Sequence, residues 1–326
     1  MRRTISLSAA KQLLSRTSQL LESGRSERSI RRAVEEGNLI VVRRGWYVER
    51  EDWDAIWPEG RHLLRVLSVH DDAVGGAPVF CGVSAAVVLG LPLYRVRDDR
   101  VHMAVRRGSS RSSPGVLRHE TRLGADDVVE VEGMLCTSPD RTAFDLARTL
   151  SPEAATAAAD AVLRDVALGD RSYDEGRAEV WREAIMSRAL ASSARGVRQA
   201  RRVLDFADGR AESPGESVSR LQLSRLGFRR VRLQVPVVLP GGEECRLDFG
   251  LDDVDSFGEF DGASKYLDPG LRGDRSIDQV VLDEKRREDL IRGITGRRLV
   301  RWEHAHIRTA QALGMRLAQF GLHPPN

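Results

Sequence analysis

The chain has 326 residues, 41% of them apolar and 30% charged, with a formal net charge of +3. That length is too great for one ordinary domain and predicts two or three. No apolar run is long enough to cross a bilayer, and the first ten residues lack the apolar core of a secretory signal, so a cytoplasmic protein without a membrane partner is expected.

In chain order, residues 1 to 57 read as a small helical unit closed by a hairpin. Ser6 to Glu22 carries apolar residues at helical spacing, Ser26 caps a second helix through Glu36, and Gly37 ends it. Leu39 to Val42 and Trp46 to Val48 then flank a turn at Gly45. Helix, helix, hairpin is the order of a winged helix-turn-helix. In that arrangement Arg28, Arg31 and Arg32 on the second helix, and Arg43 and Arg44 on the wing, would contact DNA.

Residues 60 to 150 are mixed α and β. Helices are expected over 61–73 and 84–91, strands over 101–105, 116–121 and 128–136, and a helix opening at Pro139 with Ser138 as its cap. Residues 151 to 212 are rich in Ala and Arg and read as two or three helices. From 213 to 326 the pattern becomes helix, strand, strand, strand, helix, strand, over 214–226, 231–239, 244–251, 256–261, 277–294 and 298–302. Three scattered cysteines, Cys81, Cys136 and Cys245, form no CxxC pair and read as buried thiols in a reducing compartment.

The third of these strands carries the chemistry. Side chains alternate along a strand, so Glu259 and Asp261 share one face and Phe260 takes the other. A hairpin brings Asp248 of the preceding strand level with Glu259. Three carboxylates so close repel one another, and a divalent cation such as Mg²⁺ or Mn²⁺ would relieve them and activate a water. The arginine-dominated chain has only three lysines, Lys11, Lys265 and Lys285. Lys265, shortly after Asp261, is placed to offset charge at a phosphodiester. Lys285 and Arg287, on the following helix, are candidates for phosphate contacts. Glu216 stands at the N3 position of a capping box with Ser213.

These residues resemble a known group. The αβββαβ order with Asp248 and Glu259 is similar to the PD-(D/E)XK restriction-endonuclease-like fold. Glu259-Phe260-Asp261-Gly262, Lys265-Tyr266, Glu284 to Glu288 and Val300-Arg301-Trp302 resemble the relatives of very-short-patch-repair endonucleases. That likeness covers residues 212 to 306 and implies a Mg²⁺-dependent endodeoxyribonuclease, with Asp248, Glu259, Asp261, Lys265 and Glu216 catalytic and the first three on the metal. Asp261 stands where the superfamily's name places lysine. The earlier segments, through Arg43 to Val48, Ser84 to Leu91 and Thr137 to Asp145, resemble the type IV abortive-infection antitoxin family. This second likeness implies a repressor and antitoxin that binds DNA and has a toxin or operon partner. The chain is thus read as an α/β (α+β multidomain) protein. Its parts are a winged helix-turn-helix (1–57), an antitoxin-like mixed α/β domain (60–150), a helical linker region (151–212) and an endonuclease-like domain (213–326).

Overall fold

Ser6 starts the first helix, α1 (Leu7–Leu13), by accepting the Ala9 amide on its hydroxyl. The structure is a computed structural model that describes residues 3–106, 114–169, 172–262 and 277–325. The helix expected to run to Glu22 stops at Leu14, which is extended. A two-residue strand, β1 (Ser15–Arg16), follows, and the helix resumes as α2 (Thr17–Glu22). The break has a tertiary cause: Ser15 and Arg16 pair with Tyr47 and Trp46, and this pairing overrides the helical spacing. In α3 (Glu27–Glu35) Ser26 and Ser29 cap each other's amides. The hairpin β2 (Leu39–Arg43) and β3 (Trp46–Glu49) turns at Gly45, whose φ of +81° favours glycine. The sheet order is β1-β3-β2, and Leu20, Ile30 and Leu39 form the core beneath it.

Next come α4 (Arg50–Ala55), α5 (Pro58–Asp71), β4 (Val79–Phe80), α6 (Gly82–Val88), β5 (Val101–Val105), β6 (Val116–Glu120), β7 (Val128–Val131) and β8 (Met134–Thr137). The single strand expected over 128–136 is in fact a hairpin. Glu132 and Gly133 both take positive φ, +47° and +86°, the backbone of a type I′ turn. The five-stranded sheet runs β6-β5-β4-β8-β7, with β4 parallel to β8 and antiparallel to β5. Ser138 caps α7 (Pro139–Thr149) as expected, and α8 (Pro152–Ala167), α9 (Glu175–Ala191) and α10 (Val197–Phe206) fill the helical stretch.

The rest is α11 (Pro214–Arg225), β9 (Val231–Val238), β10 (Glu244–Leu251), β11 (Ser256–Asp261), α12 (Ile277–Thr295), β12 (Arg298–Glu303) and α13 (Ala310–Ala318). The helix and strand order matches the sequence reading, with α13 as an addition. The sheet order is β12-β11-β10-β9; β11 and β12 are parallel and the other pairs antiparallel. Val235, Val237, Leu247, Phe257 and Leu299 make one core with Ile291 of α12. Trp302 packs instead toward α11, where its indole N–H donates to Ser219 Oγ at 2.8 Å. Gly258 permits this, because a Cβ there would run into the Trp302 ring.

The chain forms two compact units. One contains residues 1–158 and 184–205, the other residues 159–183 and 206–326.

Candidate functional site

In the second unit the register sets the acids. Phe249 pairs with Gly258 at the end of the antiparallel ladder, and Asp248 and Glu259 are the next residues beyond it, close enough to interact electrostatically. Asp248 does not simply face its neighbour: its Oδ2 accepts the Phe260 amide at 2.8 Å. On the parallel side Glu259 pairs with Arg301. Cross-strand partners share a face, and Arg301 Nη2 lies 3.0 Å from Glu259 Oε2. The other arm of the same guanidinium, Nη1, lies 3.7 Å from Asp261 Oδ2. Arg287 on α12 donates to Glu259 Oε1 at 3.5 Å and to the Arg246 carbonyl at 3.1 Å. Glu259 is buried, and burial raises its pKa; Arg301 and Arg287 pull it back, while Asp248 and Asp261 add to the rise.

Glu216, near the start of α11, has the bonds of a cap. Its carboxylate accepts the Glu212 amide at 2.8 Å, the Ser213 hydroxyl at 2.9 Å and the Gln234 amide nitrogen at 3.1 Å. In turn the Glu216 amide donates to Ser213 Oγ. Burial, and then the charge of Asp248, push its pKa up to about 7. Gln234 stands in left-handed backbone, φ +51°, between the pairs Val235–Leu247 and Leu233–Phe249. This is a strained position for a residue with a side chain, and it sits opposite Asp248. Sequence reasoning passed over Gln234, since its backbone carries no sequence signal.

The four acids are therefore neighbours, as Asp248 acts electrostatically on both Glu216 and Glu259. Their oxygens do not converge on one point. Among the described residues no three His, Cys, Asp or Glu side chains form a group that could hold a metal ion. A hard divalent cation needs several oxygens around it; here a guanidinium lies between the two acids of β11. The arrangement as it stands does not fit the cation. Lys265 lies outside the described residues. Lys285 is exposed. His306 takes the Glu303 amide on Nδ1 at 3.0 Å, and the His304 ring sits edge-on to Phe260, so this pair has packing and turn roles.

In the first unit α3 buries Ile30 and turns Arg28, Arg31 and Arg32 to solvent. Arg32 is paired with Glu36 at 2.6 Å. On the hairpin Arg44 is exposed, while Arg43 turns to Asp72 at 3.6 Å and to the Ser68 carbonyl.

A polar cluster in the same unit escaped the sequence reading. His119 Nε2 lies 3.2 Å from His102 Nδ1, and His102 Nε2 lies 3.1 Å from Asp98 Oδ2. The His102 amide donates to Ser84 Oγ, and His62 Nε2 reaches that hydroxyl at 2.9 Å. Burial lowers the pKa of all three histidines, His62 to about 4. His102 and His119 line a cavity of about 520 Å³ together with Tyr94, Arg97 and Arg148. The four elements that supply the cluster are far apart in sequence, so no spacing betrays it.

Residues 79–206 match the family model described as the AbiEi antitoxin C-terminal domain. Two proteins of Mycobacterium tuberculosis are similar over most of the chain: the uncharacterized proteins MT2308 (strain CDC 1551 / Oshkosh) and Rv2248 (strain ATCC 25618 / H37Rv). Each is 31% identical over 267 residues, covering 78% of this chain and 90% of the relative.

Proposed function

The chain belongs to the family of these two mycobacterial proteins and carries a segment that matches the AbiEi antitoxin C-terminal domain; from that segment, and from the arginine that bridges Glu259 and Asp261, we propose that it is a DNA-binding antitoxin and repressor without nuclease activity. The observation that carries the reading is α3. It follows α1, β1 and α2 and precedes the β2–β3 hairpin, an order that supports a winged helix-turn-helix. Its solvent face bears Arg28, Arg31 and Arg32, and Arg44 stands exposed on the wing. Arginines at the start of such a helix can read guanine edges or neutralise phosphates. A toxin encoded alongside is the expected protein partner.

The endonuclease-like reading keeps support as a scaffold. The αβββαβ order and the adjacent positions of Asp248 and Glu259 favour it. The arginine-bridged acids do not favour a Mg²⁺ or Mn²⁺ site, so no hydrolytic step is assigned to Asp248, Glu259, Asp261, Lys265 or Glu216.

The test is a gel-shift series on the region upstream of the gene, across a range of salt. The full chain should bind with a steep salt dependence, and Arg28→Ala with Arg31→Ala should weaken binding by about 1–3 kcal/mol for each arginine that reads a base. Equal affinity of the double variant for the same DNA would remove α3 from the interface.

A further inference from the structure

We propose that Arg301 and Arg287 are the resident cations of the acidic site, so that a guanidinium stands where a divalent metal would bridge Glu259 and Asp261. Parallel pairing sets Glu259 beside Arg301 and Asp261 beside Glu303. Arg301 thus emerges on the face shared by the two acids. One arm of its planar fork reaches Glu259 at 3.0 Å and the other approaches Asp261 at 3.7 Å. A single positive group spanning two carboxylates does what a bridging cation would do, without an ion from solution.

Arg287 adds a second positive charge from the helix above. The Arg246 carbonyl at 3.1 Å holds its head beside Glu259 Oε1. Ile291, one turn later on α12, is buried in the core with Phe257 and Leu299, which fixes the helix over this face. The side chains of Glu259 and Arg301 are 9% and 20% exposed. At such burial charge pairs are screened much less than on the surface, and removing one partner leaves a costly bare charge. The remaining acids are also engaged. Asp248 holds the Phe260 amide, and Glu216 holds two donors of its own helix start and the Gln234 amide. A metal would have to break several of these bonds at once.

The inference shares with the proposed function only the expectation of no cleavage. Its test reads metal binding, not DNA binding, so the two can fail separately. The probe is Mn²⁺ alone, titrated into the full chain and followed by the electron paramagnetic resonance signal of free Mn²⁺. The native chain should bind no Mn²⁺ that Glu259→Gln abolishes. Arg301→Gln, which keeps a hydrogen-bond donor but removes the charge, should create a site at least tenfold tighter, lost again when Glu259→Gln is added. If Arg301→Gln does not fold, Arg287→Gln serves, since Arg287 is half-exposed, and it should give the same gain in weaker form. Binding by the native chain that depends on Glu259 would overturn the proposal. So would a folded arginine variant with no gain in Mn²⁺ binding.

Discussion

Removal of the Asp160 carboxylate should destabilise the second unit more than removal of its whole ion pair. Asp160 has no exposed surface, and its two oxygens lie 3.0 and 3.1 Å from Arg220 Nη2. It also accepts the Asp208 amide at 2.8 Å. Arg220 is held by the Phe206 carbonyl at 2.6 Å, and its guanidinium lies 3.9 Å from the centre of the Phe206 ring. Burial raises the Asp160 pKa, and Arg220 is the largest force pulling it back. Asp160→Ala leaves a buried guanidinium without its counter-charge, a loss of about 3–5 kcal/mol. Asp160→Leu with Arg220→Met removes both charges and keeps volume, so it should cost less than Asp160→Ala alone. Urea unfolding followed by fluorescence reads this, because Trp181 and Trp302 both lie in the second unit. A cost below about 1 kcal/mol for Asp160→Ala would refute the reasoning. A double variant as unstable as the two single losses summed would do the same.

Acid should weaken the first unit through His62. Its pKa of about 4 in the fold lies below the ordinary 6.5, mainly from burial, with His102 and Arg65 adding to the drop. The unfolded chain therefore takes up the proton first, and stability is full above about pH 6.5 and falls toward pH 4 by on the order of 3 kcal/mol. Thermal unfolding between about pH 7.5 and 4.5 measures this across the window set by those two values; His62→Gln should flatten the curve, and an unchanged slope would exclude His62 as its source. Gly258→Ala should lower the unfolding temperature sharply, since its methyl group would enter the space of the buried Trp302 ring, at about 1–3 kcal/mol or more for overpacking. A calorimetric scan matching the native chain would show that the ring can move aside.

Much of the fold can be read from the sequence where local chemistry and tertiary contacts agree. Ser26, Ser138 and Ser213 cap the helices that the sequence starts there. β10 follows from the alternation of Cys245, Leu247, Phe249 and Leu251 with Arg246, Asp248 and Gly250. The failures have two causes, a tertiary contact that overrides local pattern in one case and a tight two-residue turn inside an apolar run in the other. Ser15–Arg16 leave a helical run to pair with β3. Glu132 accepts positive φ so that β7 can fold back on β8.

The acids of the candidate site were legible as neighbours, yet their partners were not. Repulsion between Asp248, Glu259 and Asp261 predicts a cation, and the sequence does not say that Arg301, about forty positions on, would be that cation through parallel pairing. Glu216 could be read as a cap from Ser213 alone, and its bonds are those of a cap. The cluster of His62, His102 and His119 was invisible, since a helix and two strands distant in sequence bring it together.

The most direct test is a footprint of the full chain on the region upstream of its gene, made in buffer with Mg²⁺ and again with Mn²⁺. The native chain should protect a stretch that loses its protection in Arg28→Ala with Arg31→Ala, on DNA that stays intact. Metal-dependent breaks in the DNA that are lost in Glu259→Ala would contradict it.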